Sequence, residues 1–404
     1  MKRKLLSLAA LAACAFAGSA QAQISDGIVK IGVLNDMSGL YSDITGPGSV
    51  TAAKMAVEDY IKASRSTLKV EIVSADHQNK PDVGSNVARQ WFDTDKVDMI
   101  ADVPTSSVGL AVAKIASDKG KLHVNSGSAT ADLSGKACNA NTIHWAYDTW
   151  MLANGTGKAI VKSGGDTWFF LTADYAFGQA LERDTEAVVV KNGGKVVGKV
   201  RTPFPTQDFS SFLLQAQASK AKIIGLANAG GDTTNSIKQA AEFGITKGGQ
   251  NLAGLLVFLP DVHSLGLNIA QGLKLTETFY WDLNDNTRAF TKRFAAANGG
   301  KYPSMVQAGV YSSVIHYLKA VDAAKTDDGT KVAAKMKELP TDDPLFGKGT
   351  VRADGRKIHP AYLFQVKKPA ESKGPYDYYK LVATIPANEA FRPLAESECP
   401  LVKK

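Results

Sequence analysis

The chain has 404 residues, 44% hydrophobic and 21% charged, with a formal net charge of +8 and three cysteines. At about 150 residues per domain this length predicts two or three domains. The composition excludes a disordered chain, a coiled coil and a cysteine-rich scaffold.

Lys2, Arg3 and Lys4 precede an apolar run over residues 5–16, and Ala20-Gln21-Ala22 follows. A basic start, a short apolar stretch and an Ala-x-Ala site predict a secretory signal over residues 1–22, and hence a periplasmic protein. The run is shorter than the roughly 20 residues that span a bilayer. Leu11-Ala12-Ala13-Cys14 resembles a lipobox, so a lipid on Cys14 is the alternative. Cleavage removes three basic residues and lowers the charge to +5. What remains is dispersed along the chain, so no nucleic-acid partner is expected. Cys138 and Cys399 are left as an even pair in an oxidising compartment. That predicts a disulfide, with two separate buried thiols as the alternative.

In chain order, residues 29–34 read as a strand and 47–63 as a helix with Ala53, Ala56, Val57 and Tyr60 on one face. A strand over 68–74, a helix over 82–94 and a strand over 97–101 follow. Ser106 or Ser107 then caps a helix carrying Val108, Val112 and Ile115, which Gly120 ends, and 121–125 is another strand. The rhythm restarts with strands over 167–172, 195–200, 223–227, 253–258 and 273–281. Helices over 177–191, 209–219, 233–243 and 261–270 separate them. Residues 287–298 and 304–324 read as helices. Residues 362–367 and 378–385 read as a strand pair with no helix between, hence antiparallel. Strands alternating with helices predict an α/β fold of two doubly wound parallel-sheet lobes.

Enzyme motifs are missing. Asn125-Ser126-Gly127-Ser128 lacks the first glycine of a nucleophile elbow, and Gly155-Thr156-Gly157-Lys158 lacks P-loop spacing. Residues 282–286 hint at a calcium loop, but Thr287 and Arg293 stand where glycine and glutamate are needed, which favours a helix-capping turn. The six histidines show no metal-ligand spacing, and Asp76-His77 reads as a loop-bound pair rather than a dyad. No metal and no cofactor are expected. Two hydroxyl-rich segments do stand out, Pro104-Thr105-Ser106-Ser107 and Asn125-Ser126-Gly127-Ser128-Ala129-Thr130, both at the carboxyl ends of strands. Ligands of open α/β sheets bind at such ends, and a helix N-terminus favours a carboxylate. Ordinary helix capping and a shared anion pocket both fit.

Residues 31–34 (Ile-Gly-Val-Leu), Met37-Ser38-Gly39, Gly46 and the run 52–59 resemble the opening of Leu/Ile/Val-binding-type periplasmic proteins, the solute receptors of ABC importers. The Ser106–Ser107 segment, residues 126–130, Asp174-Tyr175-Ala176-Phe177-Gly178 and residues 307–311 fall in that family's order. The resemblance spans nearly all of residues 27–366. It implies two α/β lobes joined by three crossovers: 24–146 plus 276–352, and 147–275 plus 353–390, followed by a tail over 391–404. It also implies a ligand carboxylate held by Ser106, Ser107, Ser128, Ala129 and Thr130, with Phe177 packing from the other lobe beside Tyr175, and Tyr41 as cover. Trp145, Tyr147, Trp150, Phe258 and Tyr280 are candidates for further apolar wall.

Amino-acid binders of the family place an acid near the segment matching 255–259, which here is Leu-Leu-Val-Phe-Leu. Asp232 and Asp261 are the substitutes, unless they cap helices. A buried unpartnered ammonium costs several kcal/mol, so an aromatic acid is the favoured ligand. A branched-chain or other α-amino acid is the alternative; a secreted hydrolase or a sensory domain is further off. The implied partners are a small carboxylate and an inner-membrane ABC permease, and a monomer is expected.

Overall fold

The computed structural model describes residues 24–403. The expected signal segment and Cys14 lie outside the described residues.

The first sheet is parallel, in the order β2-β1-β3-β4-β5. Its strands are β1 (Val29–Asn35), β2 (Val70–Asp76), β3 (Met99–Asp102), β4 (Leu122–Asn125) and β5 (Thr142–His144). Val29, Ile31, Val33 and Leu34 of β1 are all fully buried, because helices cover both faces of a parallel sheet. The second parallel sheet runs β7-β6-β8-β9, from β6 (Thr167–Ala173), β7 (Lys195–Thr202), β8 (Ile223–Ala227) and β9 (Asn251–Gly254).

β10 (Lys274–Glu277) adds β14 (Ala361–Val366) and β15 (Tyr379–Ile385) in antiparallel order, as expected of the late strand pair. A small antiparallel sheet of β11 (Thr341–Asp343), β12 (Gly347–Val351) and β13 (Lys357–Ile358) comes just before β14. Those three strands, β5, and the helices Thr149–Leu152 and Gly329–Glu338 were not expected from the sequence. The strands and the first helix are short, polar or glycine-rich; helix Gly329–Glu338 buries only the side chains of Val332, Ala333 and Met336 on one face, a weak signal amid its lysines. β9 ends at Gly254, four residues before the expected end. Leu255, Leu256, Val257 and Phe258 are apolar because they are buried, not because they form a strand.

The chain passes between the two sheets three times: after β5, after β10, and between β13 and β14. The second passage returns helices Asp285–Ala297 and Met305–Ala324 to helix Gly46–Ser64 of the first lobe. There Arg293 pairs bidentately with Asp59 at 2.7 and 2.8 Å, Tyr311 donates to Asp59 at 2.7 Å, and Ser304 donates to the Ile44 carbonyl. Asn284 starts the first of these helices, accepting from Thr287 N at 3.1 Å, so residues 282–286 form the capping turn that was expected.

The passages meet at a buried cationic pair. Arg356 donates to the carbonyls of Tyr147 and Trp145, both at 3.0 Å, and stacks on Phe391. Lys357 is fully buried, pairs with Asp343 at 3.1 Å, and lies over the Trp145 ring. Removing one partner of such a pair leaves an uncompensated buried charge, which costs about 3–5 kcal/mol.

Candidate functional site

β3 ends on Asp102 and Val103, both with positive φ (75° and 63°). A β-branched residue rarely adopts that conformation, at a cost on the order of 1–3 kcal/mol. The turn delivers Pro104 and Thr105 to the start of helix Ser106–Asp118, whose first N–H groups have no partner within the helix. The loop over residues 126–130 lies against this helix because position 109 is glycine: a Cβ there would sit 2.2 Å from the Ser128 hydroxyl.

The hydroxyls of the two segments are used unequally. Ser128 Oγ donates to the Val103 carbonyl at 2.5 Å, so its one proton is taken. Ser106 Oγ accepts from Thr130 N at 3.2 Å, and Thr130 Oγ1 accepts from Asp132 N at 3.3 Å. An accepting hydroxyl keeps its own proton for a further bond. Ser107 is half-buried in the first turn of the helix.

Across from these segments stand aromatic side chains of the second lobe. Helix Ala176–Lys191 places Tyr175 at its cap and Phe177 in its first turn, with ring centroids 5.8 Å apart. Phe204 stacks on Tyr175 at 4.1 Å and on Tyr41 of the first lobe at 6.0 Å. The Tyr41 and Tyr175 hydroxyls bond to each other across the cleft. Burial holds both phenols well above their ordinary pKa. Gly231 N donates to the Leu40 carbonyl at 3.4 Å, so the two lobes are closed on each other.

Between them lies a narrow cavity of about 10 Å³, so the closed lobes leave room for little more than one water and must part to admit a ligand. Of the residues expected from the sequence, Tyr41, Ala129, Tyr147, Tyr175, Phe177 and Phe258 line it. Pro104, Gly127, Ala229 and Leu256 do so as well, together with Ile44, Thr45 and Val306. None of these thirteen side chains is charged. Tyr147 donates to the Gly127 carbonyl at 2.7 Å and meets Phe258 edge-on.

Ser106, Ser107, Ser128 and Thr130 stand behind Gly127 and Ala129 rather than on the cavity wall. Asp232 is also off the wall. It accepts from Thr206 N at 3.1 Å through one oxygen, its other oxygen is buried without a partner, and burial raises its pKa to about 7. Asp261 caps its own helix by accepting from Phe258 N at 2.9 Å. Trp145 belongs to the core, donating to Ser312 and facing His316. Tyr280 packs on Phe364 and Tyr379, away from the cleft. Phe204 and Thr45 carried no signal in the sequence, since both come from loops. His77 is buried and accepts from Asn79 N within its own loop. No cluster of three or more metal-ligating side chains occurs among the described residues.

Two α/β lobes closed over a cavity between them form the architecture of a solute-binding receptor. The chain matches the family model described as periplasmic binding protein over residues 28–374, and it belongs to that family. Its members are the non-enzymatic solute-binding proteins of ABC transporters. A crystal structure of a periplasmic binding protein from Burkholderia mallei is 51% identical, covers 94% of this chain and 100% of its own, and superposes with a TM-score of 0.91. A branched-chain amino acid ABC transporter periplasmic ligand-binding protein from Burkholderia xenovorans LB400 is 42% identical over 93% of this chain and 100% of its own, with a TM-score of 0.82. A solute-binding protein from R. palustris, solved in complex with benzoate, shares the fold at 21% identity, 93% and 100% coverage and a TM-score of 0.79. Among curated proteins, Leu/Ile/Val-binding protein homolog 6 of Brucella melitensis biotype 1 is 23% identical over 95% of this chain and 97% of its own. The Cys138–Cys399 disulfide is formed, with Cα atoms 5.5 Å apart. No described helix is long and apolar enough to cross a membrane.

Proposed function

We propose that this periplasmic binding protein takes a small aromatic carboxylate into the interlobe cavity and delivers it, as an exported monomer, to an inner-membrane ABC permease. It performs no bond chemistry. The observation that carries the reading is the cavity wall: aromatic and apolar on every side, with no charged side chain to meet an ammonium. The lobes of this reading are residues 24–146 plus 276–352 and residues 147–275 plus 353–390.

The carboxylate sits where Ala129 and the first turn of helix Ser106–Asp118 converge. Backbone N–H groups of Ala129 and of that turn are the donors there, and the free protons of Ser106, Ser107 and Thr130, which lie off the wall of the closed cavity, join them as the cleft widens to take the ligand. Ser128 is dropped from the donor set, because its proton already serves the Val103 carbonyl. Phe177, Tyr147 and Phe258 flank the ring. The closed form gains on binding only through the ligand's differential affinity for it.

Ser107→Ala with Thr130→Ala is expected to weaken benzoate binding at least tenfold in calorimetry, about 1.4 kcal/mol, with the melting transition kept. Unchanged affinity would remove these hydroxyls from the site. A second reading, an α-amino acid ligand, is favoured by the buried unpartnered oxygen of Asp232. It predicts that leucine binds where benzoate does not, and that Asp232→Asn abolishes the leucine signal.

A further inference from the structure

The C-terminal tail joins both lobes. β15 ends at Ile385 in the second lobe, and Asn154 of that lobe holds the tail by donating to the Glu389 carbonyl at 2.8 Å. Phe391 is buried against Arg356 and His359, at the point where the chain passes between the lobes. Arg392 then pairs with Asp184 at 3.3 Å, and Glu396 with Lys191 at 3.7 Å; both partners lie on helix Ala176–Lys191 of the second lobe. Three residues after Glu396, Cys399 is bonded covalently to Cys138, in the loop between β4 and β5 of the first lobe.

That same loop meets that same helix directly. Asp132 pairs with Arg183 at 3.0 Å, and Arg183 also reaches Asp184 at 3.2 Å. Arg352 donates to the Arg392 carbonyl at 2.8 Å. The Glu396–Lys191 pair is exposed and individually weak, whereas Asp184 is buried beneath Arg392 and holds the tail more firmly at that point. The covalent end does not let go.

We propose that residues 391–399 act as a covalent strap that limits how far the lobes open. Opening the cleft moves the loop carrying Asp132 and Cys138 away from helix Ala176–Lys191. The Asp132–Arg183 pair breaks at once. The strap yields only by peeling Glu396 and then Arg392 from the helix, and it stops when the short run to Cys399 is extended, at about 3.3–3.6 Å per residue. Without the disulfide, Phe391 and Arg392 still anchor the tail to the second lobe, but nothing covalent ties it to the loop of the first lobe and it sets no limit on opening.

The test uses ligand-free protein, so its outcome is independent of the ligand reading. Small-angle X-ray scattering and amide exchange compare the oxidised wild type with Cys138→Ser/Cys399→Ser. The double variant is expected to show a larger radius of gyration, and at least tenfold faster exchange at residues 127–130 and 175–177 on the facing cleft walls. Superimposable scattering and exchange would overturn the strap. Loss of the disulfide can also lower global stability, so a second variant keeps the bond and lengthens the strap by four glycine and serine residues between Glu396 and Ser397. It is expected to open more widely than wild type at an unchanged melting temperature. Wild-type scattering from this longer strap would equally overturn the proposal.

Discussion

Asp102 shows how a single residue at the end of β3 couples backbone geometry to ionisation. Its φ of 75° turns the strand toward the site, and its carboxyl is fully buried with one oxygen held by Asn35 at 2.7 Å and the other without a partner. Burial raises its pKa to about 7, from 3.8 in an unfolded chain. Between these values the folded protein holds a proton that the unfolded chain has lost. Its contribution to stability therefore falls as pH rises from about 4 to about 7. Asp102→Asn keeps an oxygen for Asn35 and removes the ionisation. We expect the unfolding free energy of the variant to gain on that of wild type between pH 5 and pH 8, by on the order of a few kcal/mol, read from denaturant unfolding at each pH. Comparing variant with wild type cancels the opposing effect of buried His77, His123 and His316, whose pKa values burial lowers. A difference that does not change with pH would mean that Asp102 is ionised in the folded protein at neutral pH.

At the scale of elements, the glycine that opens helix Gly231–Glu242 bears on closure. Gly230 has φ of 57°, and a Cβ there would stand 2.6 Å from the Leu40 carbonyl of the opposite lobe. Backbone strain from Gly230→Ala is present whether the cleft is open or closed, so it lowers stability alone. The collision exists only on closure, so it lowers affinity as well. Gly244→Ala is the control, with φ of 65° and nothing within 4 Å of its Cβ. It is expected to lower the melting temperature by a few degrees with ligand affinity intact, whereas Gly230→Ala weakens binding more than tenfold. Equal affinities in calorimetry would show that the lobes do not meet here in solution.

These elements also mark what the sequence can reveal. Strands such as β1 and β8 are legible because burial on both faces demands an apolar run. The helical segment around Ala153–Gly157 is not: Asn154-Gly155-Thr156-Gly157 has poor helix propensity. Its glycine is there because a Cβ at Gly155 would sit 2.3 Å from the Thr276 hydroxyl. At the site, Tyr41, Ala129, Tyr147, Tyr175, Phe177 and Phe258 were implied by the family resemblance and line the cavity. No sequence pattern records where a hydroxyl proton points, and so Ser128 was indistinguishable from Ser106 and Thr130.

For the whole molecule, the contact between Tyr41 and Tyr175 links binding to the relative position of the lobes. In this closed form Tyr41 is buried, Tyr175 is half-buried and their hydroxyls satisfy each other; opening would give both to water. Both phenols keep their protons at any pH the protein meets, since burial raises their pKa values, so the contact does not titrate. Tyr41→Phe takes from the half-buried Tyr175 hydroxyl the partner it has across the cleft, but only in the closed form, at a cost of about 1–3 kcal/mol. We expect a ligand that binds the closed state to lose affinity by about 5- to 150-fold. Encounter takes place with the open receptor, so stopped-flow should place the loss in the dissociation rate. The double variant Tyr41→Phe/Tyr175→Phe removes both polar groups and leaves no orphan, so part of the affinity returns. A double variant weaker than Tyr41→Phe alone would mean that the hydroxyls bind the ligand rather than each other.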